Sequence, residues 1–258
     1  MAQGSIKIIV FDLDETLGSF SELGALWDSI SFIYKKSLPK KDFFRLLDMF
    51  PNFLRPNIVY ILGALCSARA SGNCFSIIMY TNNQGPLEWA RMISDYFDYK
   101  LNCKVFDFII PAYKVGRRIV EPNRTSHNKN YKDLLRCTNL PETTLVCFID
   151  DQYHTLSCHP NVMYIPLDPY THKPNVLETA TKFHNIMNPS VPLGIFIQQL
   201  NEQLGKTWKS SGSNADEVLE NQKRLVYGLR KFLNNKLMYS PKKKKRRSLN
   251  NTRKKRKN

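Results

Sequence analysis

The stretch IKIIVFDLDETLG, residues 6–18, decides the fold of this chain. Its apolar run, rich in β-branched residues, ends in Asp12 and Asp14, and Thr16 follows. A continuous apolar run of this length is typical of a short parallel strand that is buried on both faces. The polar residues after such a strand lie at the carboxyl edge of the sheet, where open α/β folds bind ligands. Two carboxylates there can divide one reaction, because one can attack or bind a metal while the other moves a proton.

A second segment with this pattern is FSIIMYTNN, residues 75–83. Its apolar run ends in Thr81 and Asn82, and a Gly-Pro turn and a helical pattern follow. A hydroxyl and free backbone N–H groups at a strand-to-helix junction suit a phosphoryl group. The same residue types, like the aspartates of the first segment, also serve as ordinary caps and turns. Each segment alone therefore leaves both interpretations open.

The third segment of this kind is TLVCFIDDQ, residues 144–152, which ends in Asp150 and Asp151. Adjacent carboxylates at the tip of an apolar strand repel each other, and a cation between them and Asp12 relieves that repulsion. A site with only oxygen ligands, and few of them fixed by the protein, indicates Mg²⁺.

NYKDLLR, residues 130–136, predicts the start of a helix in which two leucines fix Lys132 beside a core. A single lysine is usually a solvated surface charge. The motifs, however, follow one another as strand-DxDxT, strand-Thr, helix-Lys and strand-DD. In type and order they resemble those of the haloacid-dehalogenase superfamily of aspartate-nucleophile phosphatases, across residues 6 to about 170.

The resemblance narrows to one family of that superfamily. DLDETL, the pair Arg55-Pro56, NYKDL and an apolar strand ending in two aspartates are similar to the RNA polymerase II C-terminal-domain phosphatases, also called NLI-interacting-factor-like phosphatases. TNNQG departs from the Thr-Ala-Ser that this family usually shows at the second motif, and is closer to polynucleotide 3′-phosphatases and histidinol-phosphate phosphatases. Those relatives typically have Gly where Glu15 stands, which argues against them.

The resemblance implies a Rossmann-like α/β fold with a central parallel sheet. It also implies that Asp12 is the nucleophile and holds Mg²⁺ with its other oxygen. Asp14 is expected to protonate the leaving oxygen, to take a proton from the hydrolytic water and to touch the metal with its backbone carbonyl. Asp151 is expected to bind the metal directly, and Asp150 through water.

The phosphoryl group itself has three expected partners. The resemblance implies that Thr81 and the N–H of Asn82 bind phosphoryl oxygens, and that Lys132 neutralises the charge on the phosphoryl group and on Asp12. The stretch between Asp12 and Thr81 has room for two or three helices, but no pattern isolates a cap domain. We therefore expect a capless, open site, or one with a small insert, which admits a side chain on a protein.

The segment before Lys132 is unusually basic. Its five positive residues are Lys114, Arg117, Arg118, Arg124 and Lys129. Two interpretations remain open, because these residues could form a solvated loop or a surface that attracts an acidic or phosphorylated polymer.

The C-terminal third divides into two parts. Residues 171–241 predict a helical extension, in which the apolar stripe over 214–237 either packs on the core or docks a partner. Residues 242–258 carry eleven positive charges and no acidic residue, which predicts a disordered tail. The stretch PKKKKRR resembles a nuclear-import signal, and the tail can also contact nucleic acid.

Length and composition indicate in which compartment the chain acts. No apolar run in the 258 residues approaches the ~20 that a membrane span requires. The first strand begins almost at once, so we expect no secretory signal. The six cysteines form no Cys-x-x-Cys pair and lie mostly in apolar segments, as reduced thiols inside a cell do.

Together these features predict an Mg²⁺-dependent phosphatase core over residues 1–170 that acts in the nucleus. Its expected substrate is phosphoserine or phosphothreonine in a protein, with the RNA polymerase II C-terminal domain as a candidate. One alternative is a phosphatase of nucleic-acid ends or nucleotides, which the basic segments favour and Glu15 opposes. A third is an inactive scaffold that binds nucleic acid or a transcription partner, which the complete set of motif residues opposes.

Overall fold

The computed structural model describes residues 6–187, 190–208 and 212–234. Within these residues a five-stranded parallel sheet has the order β3-β2-β1-β6-β7. Its strands are β1 (Lys7–Phe11), β2 (Ser76–Tyr80), β3 (Phe108–Ile110), β6 (Leu145–Asp150) and β7 (Val162–Pro166). A separate antiparallel hairpin consists of β4 (Lys114–Val115) and β5 (Arg118–Ile119). The prediction of an α/β fold with a central parallel sheet is confirmed.

Both faces of the central strand are buried, which explains its unbroken apolar sequence. Ile9 and Phe11 of β1 belong to a large apolar cluster on one face of the sheet, and Ile8 and Val10 belong to a smaller cluster on the other. Alternate side chains of a strand point to opposite faces, so both sets must be apolar when helices cover both faces.

Eight α-helices surround the sheet in the described residues. They are α1 (Phe20–Tyr34), α2 (Lys40–Met49), α3 (Ile58–Ala70), α4 (Leu87–Leu101), α5 (Tyr131–Thr138), α6 (Val176–Met187), α7 (Leu193–Thr207) and α8 (Ala215–Asn234). Short 3₁₀ turns cover Pro51–Phe53 and Thr155–Cys158. Three helices separate β1 from β2, as the sequence predicts. None of the helices in the described ranges is both long and apolar enough to cross a membrane.

The helical extension packs on the sheet. Leu225, Leu229 and Phe232 of α8 are buried in the same apolar cluster as β1. A Cβ atom at Gly228 would lie 2.5 Å from Cδ1 of Ile165 on β7, so this glycine lets α8 approach the sheet closely. The interpretation of the apolar stripe as a packing face is therefore confirmed from the middle of α8 onward. The tail at 242–258 lies outside the described residues.

Strand register brings the predicted site residues to one edge of the sheet. Phe11 pairs with Met79 on β2 and with Ile149 on β6. The next residue of each strand is therefore level with the others, which places Asp12 beside Asp150. Because the three strands are parallel, their carboxyl ends share one edge, and the loops that follow them meet there.

Candidate active site

The loop after β1 is held in a turned conformation. The N–H of Asp12 still bonds to the carbonyl of Ile149 at 2.9 Å, after which the chain leaves the sheet. Glu15 then adopts a φ of +54°, in the left-handed region that favours glycine. The polynucleotide phosphatases typically have Gly at this position. In this chain a residue with a side chain stands there, and a buried arginine donates a hydrogen bond to its carbonyl.

That arginine is Arg55, of the pair Arg55-Pro56. Its Nε donates to the carbonyl of Thr16 at 2.6 Å, and its Nη2 donates to the carbonyls of Glu15 at 2.7 Å and Asp168 at 2.9 Å. Asp168 in turn exchanges hydrogen bonds with Asn221 of α8, whose Oδ1 accepts from the Asp168 N–H at 2.7 Å and whose Nδ2 donates to Asp168 Oδ2 at 2.8 Å. One chain of hydrogen bonds thus links the loop after β1 to the helical extension.

Lys129 lies at the centre of the site. Its ammonium group contacts Asp12 Oδ1 and donates to Asp150 Oδ2 at 2.6 Å, and only 1% of the residue is exposed. Burial alone would lower the pKa of this lysine, but the charges of Asp12 and Asp150 outweigh burial and raise it. Lys129 is therefore a fixed positive charge between two strand ends.

Lys132, to which the resemblance assigns this role, lies elsewhere in the structure. Lys132 is exposed, in the first turn of α5 and outside the cluster. The helix begins one residue after Asn130, whose side chain accepts from the N–H of Asp133 at 2.8 Å and donates to its carboxylate at 2.7 Å. This reciprocal cap fixes Lys129 just before the helix, where its side chain turns toward the sheet. The cap is readable in the sequence as Asn130 followed three residues later by an acid.

Three carboxylates converge beside this lysine. Ligand atoms of Asp12, Asp150 and Asp151 lie within 4.8 Å of one another. Both oxygens of Asp150 accept hydrogen bonds within the chain, from Lys129 and from the N–H of Gln152. Asp151 Oδ1 accepts from Thr16 Oγ1 at 2.9 Å. Burial raises the pKa of Asp150 to about 7 and also raises that of Asp151.

Asp14 combines burial with an unsatisfied oxygen. Its Oδ2 accepts from Asn83 Nδ2 at 2.8 Å, whereas its buried Oδ1 has no hydrogen-bond partner within the described residues. Burial, and then the charge of Asp12, raise the pKa of Asp14 to about 7. Asp14 can therefore carry a proton near neutral pH. Asn83 was missed by sequence reasoning, although it stands directly after the predicted Thr81 and Asn82.

The loop after β2 is supported from beneath by Arg124. This arginine is 2% exposed and donates to the carbonyl of Thr81 at 2.9 Å and to Oδ1 of Asn82 at 2.7 Å. It also lies over the ring of Tyr80, 4.6 Å from its centroid. Thr81 is buried, and its Oγ1 accepts from the N–H of Asn83 at 2.9 Å. With Oδ1 of Asn82 occupied, the amide NH₂ of that residue remains for a ligand.

The basic segment therefore does not form one surface. Lys114, Arg117 and Arg118 are exposed on the β4–β5 hairpin, whereas Arg124 and Lys129 are buried at the site. The expectation of a single solvated or polymer-binding loop is wrong for these last two residues.

These groups surround a small cavity of about 180 Å³. Its lining includes five of the residues described above: Asp12, Asp14, Asn82, Lys129 and Asp150. His154 also lines it, and burial together with the charges of Lys129 and Arg124 lowers the pKa of His154 to about 4, so the ring is neutral at pH 7. The cavity therefore offers the carboxylates of Asp12 and Asp150, an acid that can hold a proton near neutral pH and an ammonium group to one small ligand.

No family model matches the chain, and no curated protein matches it significantly.

Proposed function

We propose that the protein is an Mg²⁺-dependent, aspartate-nucleophile phosphatase of the haloacid-dehalogenase type, acting on phosphoserine or phosphothreonine in a protein. One observation carries this proposal: Lys129 joins Asp12 and Asp150 in a cavity that Asp14 also lines. Phosphoryl transfer needs a nucleophile held in line and strong neutralisation of charge, and these groups supply both.

In the first step an oxygen of Asp12 attacks phosphorus. The bond between phosphorus and the seryl or threonyl oxygen breaks, and Asp14 gives its proton to that leaving oxygen. A pKa of about 7 allows Asp14 to hold this proton at neutral pH. Lys129, beside Asp12, offsets the charge of the phosphoryl oxygens, and the NH₂ of Asn82 is free to donate to one of them.

In the second step water attacks the phosphorus of the aspartyl-phosphate. Asp14 accepts the proton from this water, the bond from phosphorus to Asp12 breaks, and inorganic phosphate leaves. Asp14 thus returns to its starting protonation state, so one carboxyl serves as acid and then as base.

The acidic cluster fits a divalent cation. Asp12, Asp150 and Asp151 offer only oxygen ligands, as Mg²⁺ prefers, and Lys129 pairs with two of the three carboxylates. Asp151 is the better direct ligand, because both oxygens of Asp150 already accept hydrogen bonds. A bound Mg²⁺ supplies further charge neutralisation to the phosphoryl group.

Hydrolysis by the purified protein tests the proposal. We expect Mg²⁺-dependent turnover of a phosphoserine peptide and of an aryl phosphate, abolished by EDTA and reduced by about 10³-fold or more in Asp12→Asn. Circular dichroism of the variant checks that the fold is retained. Metal-dependent turnover that survives Asp12→Asn would contradict the nucleophile assignment. Preferred hydrolysis of a 3′-phosphorylated oligonucleotide would favour nucleic-acid ends as the substrate.

We further propose that the protein acts in the nucleus and enters it through residues 242–258. The support is the sequence alone, namely the run of basic residues from Lys242 to Arg247. Deleting 242–258 is expected to move a fluorescent fusion from nucleus to cytoplasm. An unchanged distribution in the microscope would remove the import interpretation.

A further inference from the structure

An open groove leads away from the catalytic cavity. It lies between α1 and the start of α4 and encloses about 880 Å³. Ser21 and Asn83 line both the groove and the catalytic cavity, so the two lie side by side. Asn83 donates to Asp14, which connects one end of the groove directly to the proposed acid. A ligand with a phosphoryl group at the proposed nucleophile can therefore extend into this groove.

The groove is lined by aromatic rings. Phe20, Trp27 and Trp89 line it and are buried, while Phe32 is 66% exposed at its side. Gly24 lines the groove without a side chain, and a Cβ atom there would lie in ordinary contact with the ring of Trp89, at 3.5 Å. An exposed ring such as that of Phe32 can contact the apolar stem of a long side chain and attract a cation above its face.

The charge of the groove is opposite to that of the whole chain. Its charged lining residues are Asp28 and Glu88, and no lysine or arginine is among the described residues that line it. The chain as a whole carries a net charge of +16. A polyanion would be repelled here, whereas a basic side chain would be attracted.

We propose that this groove binds the residues that flank the phosphorylated serine or threonine of a protein substrate, and that it selects a lysine or arginine among them. This inference rests on the proposed phosphatase function and adds its substrate class. The aliphatic stem of the basic residue would lie along the exposed ring of Phe32, and its charge would face Asp28 and Glu88. Nucleic acid is disfavoured, since its flanking phosphates would meet these carboxylates.

Binding to the catalytically inactive full-length Asp12→Asn protein measures recognition apart from turnover. Two fluorescein-labelled phosphoserine peptides, one with lysines and one with glutamates beside the phosphoserine, are compared by fluorescence anisotropy. We expect the lysine peptide to bind about tenfold more tightly, and the difference to shrink as salt is raised. Equal affinities, preference for the glutamate peptide, or no binding of either would overturn the proposal.

Substitutions outside the catalytic cavity locate the recognition. Gly24→Leu is expected to fill the groove and to weaken binding of the lysine peptide about tenfold, whereas Gly24→Ala fits beside Trp89 and serves as the matched control. Asp28→Lys combined with Glu88→Lys is expected to remove the preference between the two peptides. The groove does not recognise a basic peptide if these changes leave peptide binding unaffected. The same conclusion follows if Gly24→Leu weakens the binding of an oligonucleotide instead.

Turnover in the active protein separates the two proposals. Aryl phosphate has no flanking residues, so Gly24→Leu and the double lysine variant should hydrolyse it at the unsubstituted rate. Absence of aryl phosphate turnover in the unsubstituted protein would reject the phosphatase function, and the binding assays would still decide the groove. Aryl phosphate turnover without any preference between the peptides would reject the groove alone.

Discussion

The carboxyl edge of the sheet and the helical extension bury opposite kinds of residue. At the edge, Lys129 and Asp150 are each 1% exposed and form a salt bridge. In the extension, Phe183 and Phe196 stack with ring centroids 5.7 Å apart, and the apolar face of α8 lies on the sheet. Both regions contain buried residues, yet of the two, among the residues that the structure describes, only the carboxyl edge contains buried charges.

This difference indicates where function lies. Burying charges is costly even when they are paired, and apolar residues of similar volume are often as stable or more so. The burial of several ionisable groups at one sheet edge is therefore explained by their chemistry rather than by a gain in stability. The extension follows the ordinary rules of a core, in which apolar area is removed from water. Disruption of the extension should change stability, and disruption of the edge should change chemistry.

The largest expected effect is on stability and comes from the extension. Phe196→Ala removes a fully buried ring and is expected to lower the free energy of unfolding by about 3–5 kcal/mol. The neighbouring Ile195 is 49% exposed, so Ile195→Ala should change it by less than about 0.5 kcal/mol. Urea unfolding measures both. Turnover per folded molecule should stay unchanged in each, and a loss of specific activity in Phe196→Ala would break the division between the regions.

The next effect compares two lysines three positions apart. Lys129→Met removes the charge beside the nucleophile and is expected to lower kcat about 10²–10³-fold, while Lys132→Met should stay within about twofold. Because Lys129→Met leaves two buried carboxylates unpaired, Lys129→Met with Asp150→Asn provides a variant with less uncompensated charge. Both variants are measured on the same substrate. An equal loss of kcat in the Lys132 variant would support Lys132 as a residue that neutralises the charge of the phosphoryl group.

A smaller effect is expected in the pH dependence of stability without metal. The pKa of Asp14 is about 7 in the folded protein and near 3.8 ordinarily, so the folded state binds more protons between these values. The free energy of unfolding should therefore fall as pH rises from 5 to 7, by up to about 1.4 kcal/mol per pH unit for one such group. Asp14→Asn should reduce this slope in EDTA, although Glu15 and Asp150 keep part of it. Urea unfolding at pH 5, 6 and 7 measures this slope in both proteins. An equal slope in the two proteins would contradict the burial of an uncharged Asp14.

The strands were predictable to the extent that they are buried on both faces. β1, β2 and β6 have unbroken apolar sequences, and all three were predicted with their polar tips. β3 and β7 were not, because they are the edge strands of the sheet and only partly buried. Their apolar runs, FII and VMYI, are short, and a proline directly follows each of them, which is typical of edge strands.

The site was predictable where a residue stands at a strand tip. Asp12, Asp14 and Asp150 line one cavity because parallel strands place their tips at one edge. Lys129 was missed because its position depends on where α5 begins, and the similarity of NYKDL to a family motif drew attention to Lys132. Arg124 was grouped with exposed basic residues, since only tertiary contacts distinguish a buried arginine from a solvated one. The protonation of Asp14 likewise depends on burial that no local pattern encodes.

The hydrogen bonds of Asn221 determine how far the protein can be shortened without loss of a contact to the site. It is a buried polar residue on the otherwise apolar face of α8, and it holds Asp168, whose carbonyl holds Arg55 against the loop after β1. A fragment that stops at residue 170 would contain every proposed catalytic group but would lack this last support. We therefore expect the smallest fragment with the proposed activity to extend into α8, beyond the last of the motifs.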